Sequence, residues 1–245
     1  MKTENIEGED GPMPVKRLEA FEDNYIWVVE VGDQALVVDP GQADPVLDYL
    51  ETSGKKLAAI LLTHDHQDHV AGVDQLIEEN PNTPVYGSQE TGSYNSQTVQ
   101  DGDQFNLLGD SFTVYLTAGH TPGHISYLSG ERLFCGDALF SGGCGRVFTG
   151  DYQAQFDALQ LFKTMEDSVQ VYAGHEYTES NLAFAHSVQA DNSVISKALE
   201  EVREKRARGE ATLPSSLAFE KQVNVFLQAE DLETFKNLRE KKDQF

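Results

Sequence analysis

The sequence is poor in basic residues. Its 245 residues include 18 Lys and Arg against 41 Asp and Glu, which gives a formal net charge of −23. A charge this negative argues against a nucleic-acid partner bound through its phosphates. It is typical either of an ordinary acidic protein or of one from a salt-rich cytoplasm, where ions screen self-repulsion over about 8 Å or less.

Cysteine and long apolar runs are also scarce. The two cysteines, Cys135 and Cys144, do not indicate a disulfide framework. No apolar run approaches the roughly 18 residues of a membrane span, and the N-terminus lacks the hydrophobic core of a signal peptide. We therefore expect a cytoplasmic protein that binds no membrane, and a monomer is the default expectation for its oligomeric state. Residues 1–12 are polar and acidic and predict a disordered extension, with Met13 as an alternative start.

One stretch joins a strand to a dense group of metal-binding side chains. Residues 57–62 have the length and apolarity of a buried strand, and residues 63–69 follow with the sequence THDHQDH. The donors in it are His64, His66, Asp68 and His69. Such nitrogen and oxygen donors suit zinc, iron or manganese. Because one zinc ion takes four protein ligands, or three and a water molecule, this density predicts two adjacent ions. The alternative is a solvated histidine-rich loop without metal.

Further donors follow later strands. Apolar strands are predicted at 112–116, 132–135 and 169–173. The donors just after them are, in order, His120, Asp137 and His175. Because functional loops leave strands at one edge of a sheet, we expect these side chains to lie near the histidine motif. A loop, rather than a regular helix or strand, is expected to bring the motif's own donors together.

Helical patterns replace strands beyond Glu179. They cover residues 181–188, 193–208 and 232–242, with a break at 209–214. A strand-rich body followed by a helical tail predicts an α+β fold. We expect a catalytic domain over residues 13–179 and a small all-helical domain over residues 180–245.

With these motifs assembled, the sequence resembles the metallo-β-lactamase superfamily, whose members share a four-layer αββα sandwich and an H-x-H-x-D-H signature. More narrowly, it resembles the glyoxalase II family of hydroxyacylglutathione hydrolases. The matching stretches are residues 21–27, 63–69, 119–124, 136–137, 143–146, 174–178 and 242–245. The resemblance implies hydrolysis of the thioester S-D-lactoylglutathione to D-lactate and glutathione, the second step of methylglyoxal detoxification.

The resemblance also implies ligands for two divalent metal ions, zinc in the first place, with iron or manganese as alternatives. Site 1 would comprise His64, His66, His120 and Asp137, and site 2 would comprise Asp68, His69, Asp137 and His175. Asp137 would bridge the ions and hold a bridging hydroxide, with Asp68 nearby. The residues implied for binding glutathione are Arg146, Tyr177, Arg239 and Lys242. Arg146 and Phe148 stand where animal members have lysine and tyrosine, so one hydrogen bond to glutathione is expected to be missing.

The chemistry agrees with a thioester substrate. Two cations that share a water molecule can lower its pKa from about 15.7 to near 7. A thiol of pKa about 8.5 can leave without a strong general acid, whereas an amine cannot. Arg146, Arg239 and Lys242 suit the two carboxylates of glutathione, and the last two, three residues apart on a predicted helix, share a face.

Two other functions are compatible with the motifs. One is a glutathione persulfide dioxygenase of the same superfamily, which uses a single iron and is expected to lack the terminal Lys-Asp-Gln-Phe. The other is a metal-binding protein of this fold without catalysis. Among single residues, we expect His124 to be a hydrogen-bonded structural histidine, Cys135 to be a small buried apolar residue, and Asp65 to orient a ligand histidine.

Overall fold

Two sheets of six strands each form the body of the protein. The computed structural model describes residues 14–245, so the predicted extension over residues 1–12 lies outside the described residues. The first sheet contains, in spatial order, β1 (Val15–Ala20), β2 (Asn24–Val31), β3 (Gln34–Val38), β4 (Lys56–Leu61), β5 (Val85–Gly87) and β6 (Gln97–Thr98). Strands β1 to β3 are antiparallel, whereas β3 to β6 are parallel.

The second sheet runs in sequence order as well. It contains β7 (Gln104–Leu107), β8 (Asp110–Leu116), β9 (Ile125–Ser129), β10 (Arg132–Gly136), β11 (Gln170–Ala173) and β12 (Ser215–Ser216). Its pairs are antiparallel except for the parallel pair of β10 and β11.

The helices cover the sheets and form most of the C-terminal region. They are α1 (Asp44–Ser53), α2 (Gln67–Val70), α3 (Val73–Glu79), α4 (Tyr152–Thr164), α5 (Thr178–Val188), α6 (Ser193–Ala207), α7 (Leu217–Val223), α8 (Val225–Gln228) and α9 (Leu232–Lys242). Helix α2 corrects one prediction, because Asp68 and His69 lie in a single helical turn and not in an irregular loop. Four residues are too few to give a helical pattern in the sequence.

Alternate residues of the strands in the first sheet face opposite sides of that sheet and belong to two different apolar clusters. One face of β2 and β3 carries Ile26, Val28 and Val37, which are buried in a cluster with residues of α1 and α3. The opposite face carries Trp27 and Val29, which are buried with the second sheet and with α4 to α9. Because successive strand residues point to opposite faces, both faces of the first sheet are buried. The predicted α+β sandwich with a helical C-terminal region is confirmed.

The C-terminal region is joined closely to the body. Helix α5 begins at Thr178, so the predicted boundary between residues 179 and 180 falls inside its first turn. Strand β12, from the C-terminal region, pairs with β11 of the body. The C-terminal helices share one apolar cluster with the second sheet. No helix within residues 14–245 is both long and apolar enough to cross a membrane.

Candidate metal centre and pocket

Strand ends bring the predicted ligands to one edge of the sandwich. The histidine motif leaves β4, Asp137 follows β10, and His175 follows β11. Backbone hydrogen bonds hold these ends together, since Gly174 N–H donates to the Gly136 carbonyl at 2.9 Å and Ile125 N–H donates to the Thr63 carbonyl at 2.9 Å. The loop between β8 and β9 adds His120.

Four of the predicted ligands form a first group. The group consists of His64, His66, His120 and Asp137, and one ligand atom from each lies within 4.8 Å of the others. His120 Nε2 is 3.0 Å from His66 Nδ1 and 3.4 Å from Asp137 Oδ2. This is the set that the sequence predicts for site 1.

A second group lies directly beside the first. It consists of Asp68, His69 and His175, again with ligand atoms within 4.8 Å of one another. Asp137 faces both groups, because its Oδ2 is 3.4 Å from both His120 Nε2 and His175 Nε2 and its Oδ1 is 3.3 Å from His69 Nε2. A third combination, Asp39 with His64 and His69, overlaps both groups. The cluster can therefore bind metal ions.

Two buried atoms test whether metal ions fit this cluster. His64 Nε2 is buried and makes no hydrogen bond, and the buried Asp137 Oδ1 has only the ion-pair contact with His69 Nε2 at 3.3 Å. A buried polar atom without a partner costs about 1–3 kcal/mol. Both atoms are standard metal ligands and both point into the cluster, so the residues present fit metal ions.

Hydrogen bonds fix the far side of four imidazole rings. His69 Nδ1–H donates to Asp39 Oδ2 at 3.0 Å, and His175 Nδ1–H donates to Asp23 Oδ1 at 2.8 Å. His64 Nδ1 is 2.9 Å from Thr63 Oγ1, and His120 Nδ1 is 2.8 Å from the Arg146 carbonyl oxygen. Such partners turn the other ring nitrogen toward the metal and set its tautomer.

Sequence reasoning misplaced one of these partners. Asp65, expected to orient a histidine, is exposed, and its backbone N–H points to Glu90. Asp39 and Asp23 take that role. Asp39 directly follows β3, and this position at a strand end is a signal that the sequence offered.

The structural role expected for His124 is confirmed. Its buried ring accepts a hydrogen bond from Asp137 N–H at 3.2 Å, and its Nδ1 is 3.0 Å from Thr117 Oγ1. Cys135 is also buried, as expected.

Charges in the cluster shift one another's pKa. Burial works against ionisation of Asp137, but His69 and His175 outweigh it and hold the pKa of the carboxyl well below its ordinary value. Burial also opposes protonation of His69, but Asp137 and Asp39 raise its pKa to about 10. Burial lowers the pKa of His64 well below its ordinary value, so this ring is neutral at pH 7, as a metal ligand must be.

Two glycines allow this packing. A Cβ atom on Gly145 would lie 2.2 Å from the Asp137 carbonyl oxygen and 2.8 Å from His120 Nδ1. A Cβ atom on Gly174 would lie 2.7 Å from Asp137 Oδ1. Neither position has room for a side chain.

A pocket of about 560 Å³ opens beside the cluster. Its walls include His66, Asp68, His120, Asp137 and His175, together with Cys144, Phe148, Asn181 and the four residues predicted to bind glutathione: Arg146, Tyr177, Arg239 and Lys242. The ring of Tyr177 stacks on His175, with centroids 4.7 Å apart and an interplanar angle of 7°.

Hydrogen bonds hold the three cations of the pocket. Arg239 is buried and donates to the Cys144 carbonyl at 2.8 Å and to Asp243 Oδ1 at 2.9 Å. Arg146 reaches the same Asp243 oxygen at 3.3 Å. Lys242 donates to the carbonyl and hydroxyl oxygens of Ser180 at 3.1 and 3.0 Å. The result is a positive wall on a protein of net charge −23.

Comparison with known proteins identifies the class. Residues 21–175 match the family model of the metallo-beta-lactamase superfamily, and residues 176–245 match that of the hydroxyacylglutathione hydrolase C-terminus. The fold, the ligand cluster and this match make the chain a member of the metallo-β-lactamase superfamily. A hydroxyacylglutathione hydrolase from Glaesserella parasuis is 50% identical over 95% of this chain and 100% of its own length. One from Haemophilus ducreyi is 47% identical with the same coverage. Within the superfamily, the chain belongs to the hydroxyacylglutathione hydrolase family.

Solved structures agree on the fold. ETHE1 from Myxococcus xanthus has a TM-score of 0.72 and 27% identity, over 93% of this chain and 90% of that one. The BLEG-1 B3 metallo-β-lactamase has a TM-score of 0.67 and 21% identity, over 88% of this chain and all of that one. The second likeness concerns the fold alone.

Proposed function

We propose that the protein hydrolyses S-D-lactoylglutathione to D-lactate and glutathione at a centre of two divalent metal ions, with zinc as the first choice. The observation that carries this proposal is one pocket that is lined by members of both ligand groups and by a wall of three cations. The relatives that match nearly the whole chain are named hydroxyacylglutathione hydrolases, which supports the same reaction.

The assignment of ligands follows the two groups. His64, His66 and His120 would hold one ion, Asp68, His69 and His175 would hold the other, and Asp137 would bridge them. When bound, the ions would activate water as the nucleophile and stabilise negative charge on the thioester carbonyl oxygen. Asp39, Asp23, Thr63 and the Arg146 carbonyl would keep the histidines in the required orientation.

The carboxyl groups of the pocket favour a thioester over an amide. A hydrogen bond with His175 lowers the pKa of Asp68, and the pKa of Asp137 is also lowered. Both are therefore ionised at neutral pH, and neither can protonate a leaving group. A thiolate leaves without such help because its conjugate thiol has a pKa of about 8.5, whereas an amide nitrogen must be protonated.

The positive wall would bind the glutathione portion. Glutathione carries two carboxylates, and Arg146, Arg239 and Lys242 offer charged donors on one side of the pocket. Burial raises the pKa of Tyr177, so its hydroxyl stays protonated and can donate a hydrogen bond. Such binding would direct the thioester toward the metal centre and the peptide toward α9.

The test is hydrolysis of S-D-lactoylglutathione at pH 7, which is monitored as the loss of thioester absorbance. The metal ions are counted in the same sample. We expect the wild-type protein to hydrolyse the thioester with close to two metal ions bound per chain. We expect no hydrolysis by an Asp137→Asn control. Oxygen uptake with glutathione persulfide and a single iron would favour the dioxygenase. A filled centre that hydrolyses no thioester would favour a non-catalytic metal protein. The domain boundary between residues 179 and 180 stays a prediction. The cytoplasmic location and the monomeric state also stay predictions.

A further inference from the structure

A buried carboxylate lies behind the pocket in the C-terminal region. Glu220 of α7 has no exposed surface. Its Oε1 accepts hydrogen bonds from the hydroxyls of Ser141 at 2.7 Å and Ser215 at 2.6 Å. Its Oε2 accepts from Gly142 N–H at 2.7 Å and from Asn224 Nδ2 at 3.4 Å. Burial raises the pKa of Glu220 and these hydrogen bonds oppose that rise. Because each carboxylate oxygen accepts two hydrogen bonds, the ionised form of Glu220 provides an acceptor for all four donors.

Among the described residues, Glu220 is one of four side chains that form hydrogen bonds with residues 140–144 of the same short segment. Residues 140–146, which we call the anchor loop, lead from the metal centre to the pocket wall. The contacts to it come from Asn224 to the Gly143 and Phe140 carbonyls, Asn181 to the Ser141 carbonyl, Arg239 to the Cys144 carbonyl, and Glu220 to Ser141 and Gly142. Every residue from 140 to 144 is therefore bound by a side chain of the C-terminal region.

The anchor loop connects three functional positions. Gly145 N–H donates to the Asp137 carbonyl at 3.0 Å, so the loop returns to the proposed bridging ligand. The Arg146 carbonyl oxygen lies 2.8 Å from His120 Nδ1 and fixes that ring. The Arg146 side chain lines the pocket. A displacement of the loop would therefore rotate His120 and move Arg146 together.

We propose that Glu220 is a positioning residue for both the metal centre and the glutathione pocket. It touches neither metal nor substrate, and it acts by holding Ser141 and Gly142 so that the anchor loop presents the Arg146 carbonyl to His120. The effect on substrate binding rests on the proposed function, whereas the effect on metal binding does not.

A pair of serine variants separates positioning from simple stability. Ser141→Ala removes a hydroxyl that joins Glu220 to the anchor loop, and Ser215→Ala removes an equivalent hydroxyl that joins Glu220 to β12 instead. Zinc affinity of the full chain is measured by competition with a coloured chelator, at a temperature where each variant is folded. Glu220→Gln completes the set, because its amide keeps one oxygen for Gly142 N–H but presents an NH2 group in place of the charged oxygen that accepts from Ser141 and Ser215.

We expect Glu220→Gln to weaken zinc binding by about tenfold, the lower end of the effect of removing an outer partner of a metal ligand. Ser141→Ala should weaken it in the same direction, and Ser215→Ala should leave it unchanged. KM for S-D-lactoylglutathione should rise in Glu220→Gln and in Ser141→Ala, and it should stay unchanged in Ser215→Ala. If Glu220→Gln does not fold, the two serine variants still decide the question.

Equal zinc affinity in Ser141→Ala and Ser215→Ala, with a lowered melting temperature in both, would overturn the proposal. Failure of the wild-type protein to hydrolyse the thioester would reject the proposed function alone, because the zinc comparison needs no substrate.

Discussion

His69 Nδ1 lies 3.0 Å from Asp39 Oδ2, and this contact turns the Nε2 of a fully buried imidazole toward the carboxylate of Asp137. Asp39 also accepts from the backbone N–H and the hydroxyl of Thr63, at 2.8 and 2.7 Å. One carboxylate at the end of β3 therefore orients His69 directly and His64 through Thr63.

Asp39→Asn should weaken metal binding and turnover together. An asparagine keeps the size of the side chain but offers one oxygen in place of two, so His69 or Thr63 loses its acceptor. We expect zinc affinity and kcat/KM to fall by about 10- to 100-fold. Asp65→Asn is the matched control because Asp65 is exposed in the same region. Similar losses in both variants would contradict the orientation role of Asp39.

Arg146→Gln should raise KM and leave metal content intact. Its side chain is 55% exposed and shares Asp243 with Arg239, so its guanidinium is available to a carboxylate in the pocket. A hydrogen bond to a charged group contributes about 1.5 kcal/mol at the low end, which is about tenfold in KM. Arg208→Gln is the control, since Arg208 pairs with Glu210. An unchanged KM in Arg146→Gln would remove Arg146 from the substrate site.

The pH dependence of KM should report the charge on Lys242. Burial and the nearby Arg239 lower the pKa of Lys242 to about 8. The ammonium group is charged below that pH and neutral above it, so attraction for a glutathione carboxylate is lost as the pH rises through 8. We expect KM to rise above pH 8 in the wild type. The rise should be weaker in Lys242→Met and unchanged in Lys241→Met, whose lysine is exposed. Identical profiles in all three proteins would rule out the role of Lys242.

Gly145→Ala should damage the centre more than it damages the fold. The added methyl group would lie 2.2 Å from the Asp137 carbonyl oxygen and 2.8 Å from His120 Nδ1, so one of these groups must move. We expect metal affinity and turnover to fall by at least about tenfold. Gly32→Ala provides the comparison, because Gly32 has a φ of +54° with nothing within 4 Å and its strain is remote from the centre. Full metal binding in Gly145→Ala would show that the centre tolerates the shift.

The ligands could be predicted because their chemistry is concentrated in the sequence. Four donors follow an apolar strand within His64 to His69, and three more follow later strands. The structure brings these donors into neighbouring groups because parallel strands end at one edge.

The supporting residues could not be identified in the same way. Asp23 and Asp39 are two of 41 acidic residues, and although Asp39 follows a strand, its position does not show which distant histidine it contacts. Glu220 lies in a helix of seven residues and meets the anchor loop 78 and 79 positions away. Hydrogen bonds over such separations depend on the packing of the complete fold. The short helices α7 and α8 are not predicted from the sequence for a related reason, since they are too brief to produce a periodic pattern.

The pairing of β12 with β11 has a consequence for any shortened chain. Ser215 and Ser216 pair with Val171 and Gln170, and Leu217 N–H donates to the Val169 carbonyl at 2.8 Å. A chain cut after residue 175 would leave β11 as an open edge strand, with unpaired backbone groups beside an uncovered apolar surface. Such edges recruit strands from other copies. Residues 176–245 therefore cover the edge of β11 as well as forming a wall of the pocket, and we expect residues 14–175 alone to self-associate.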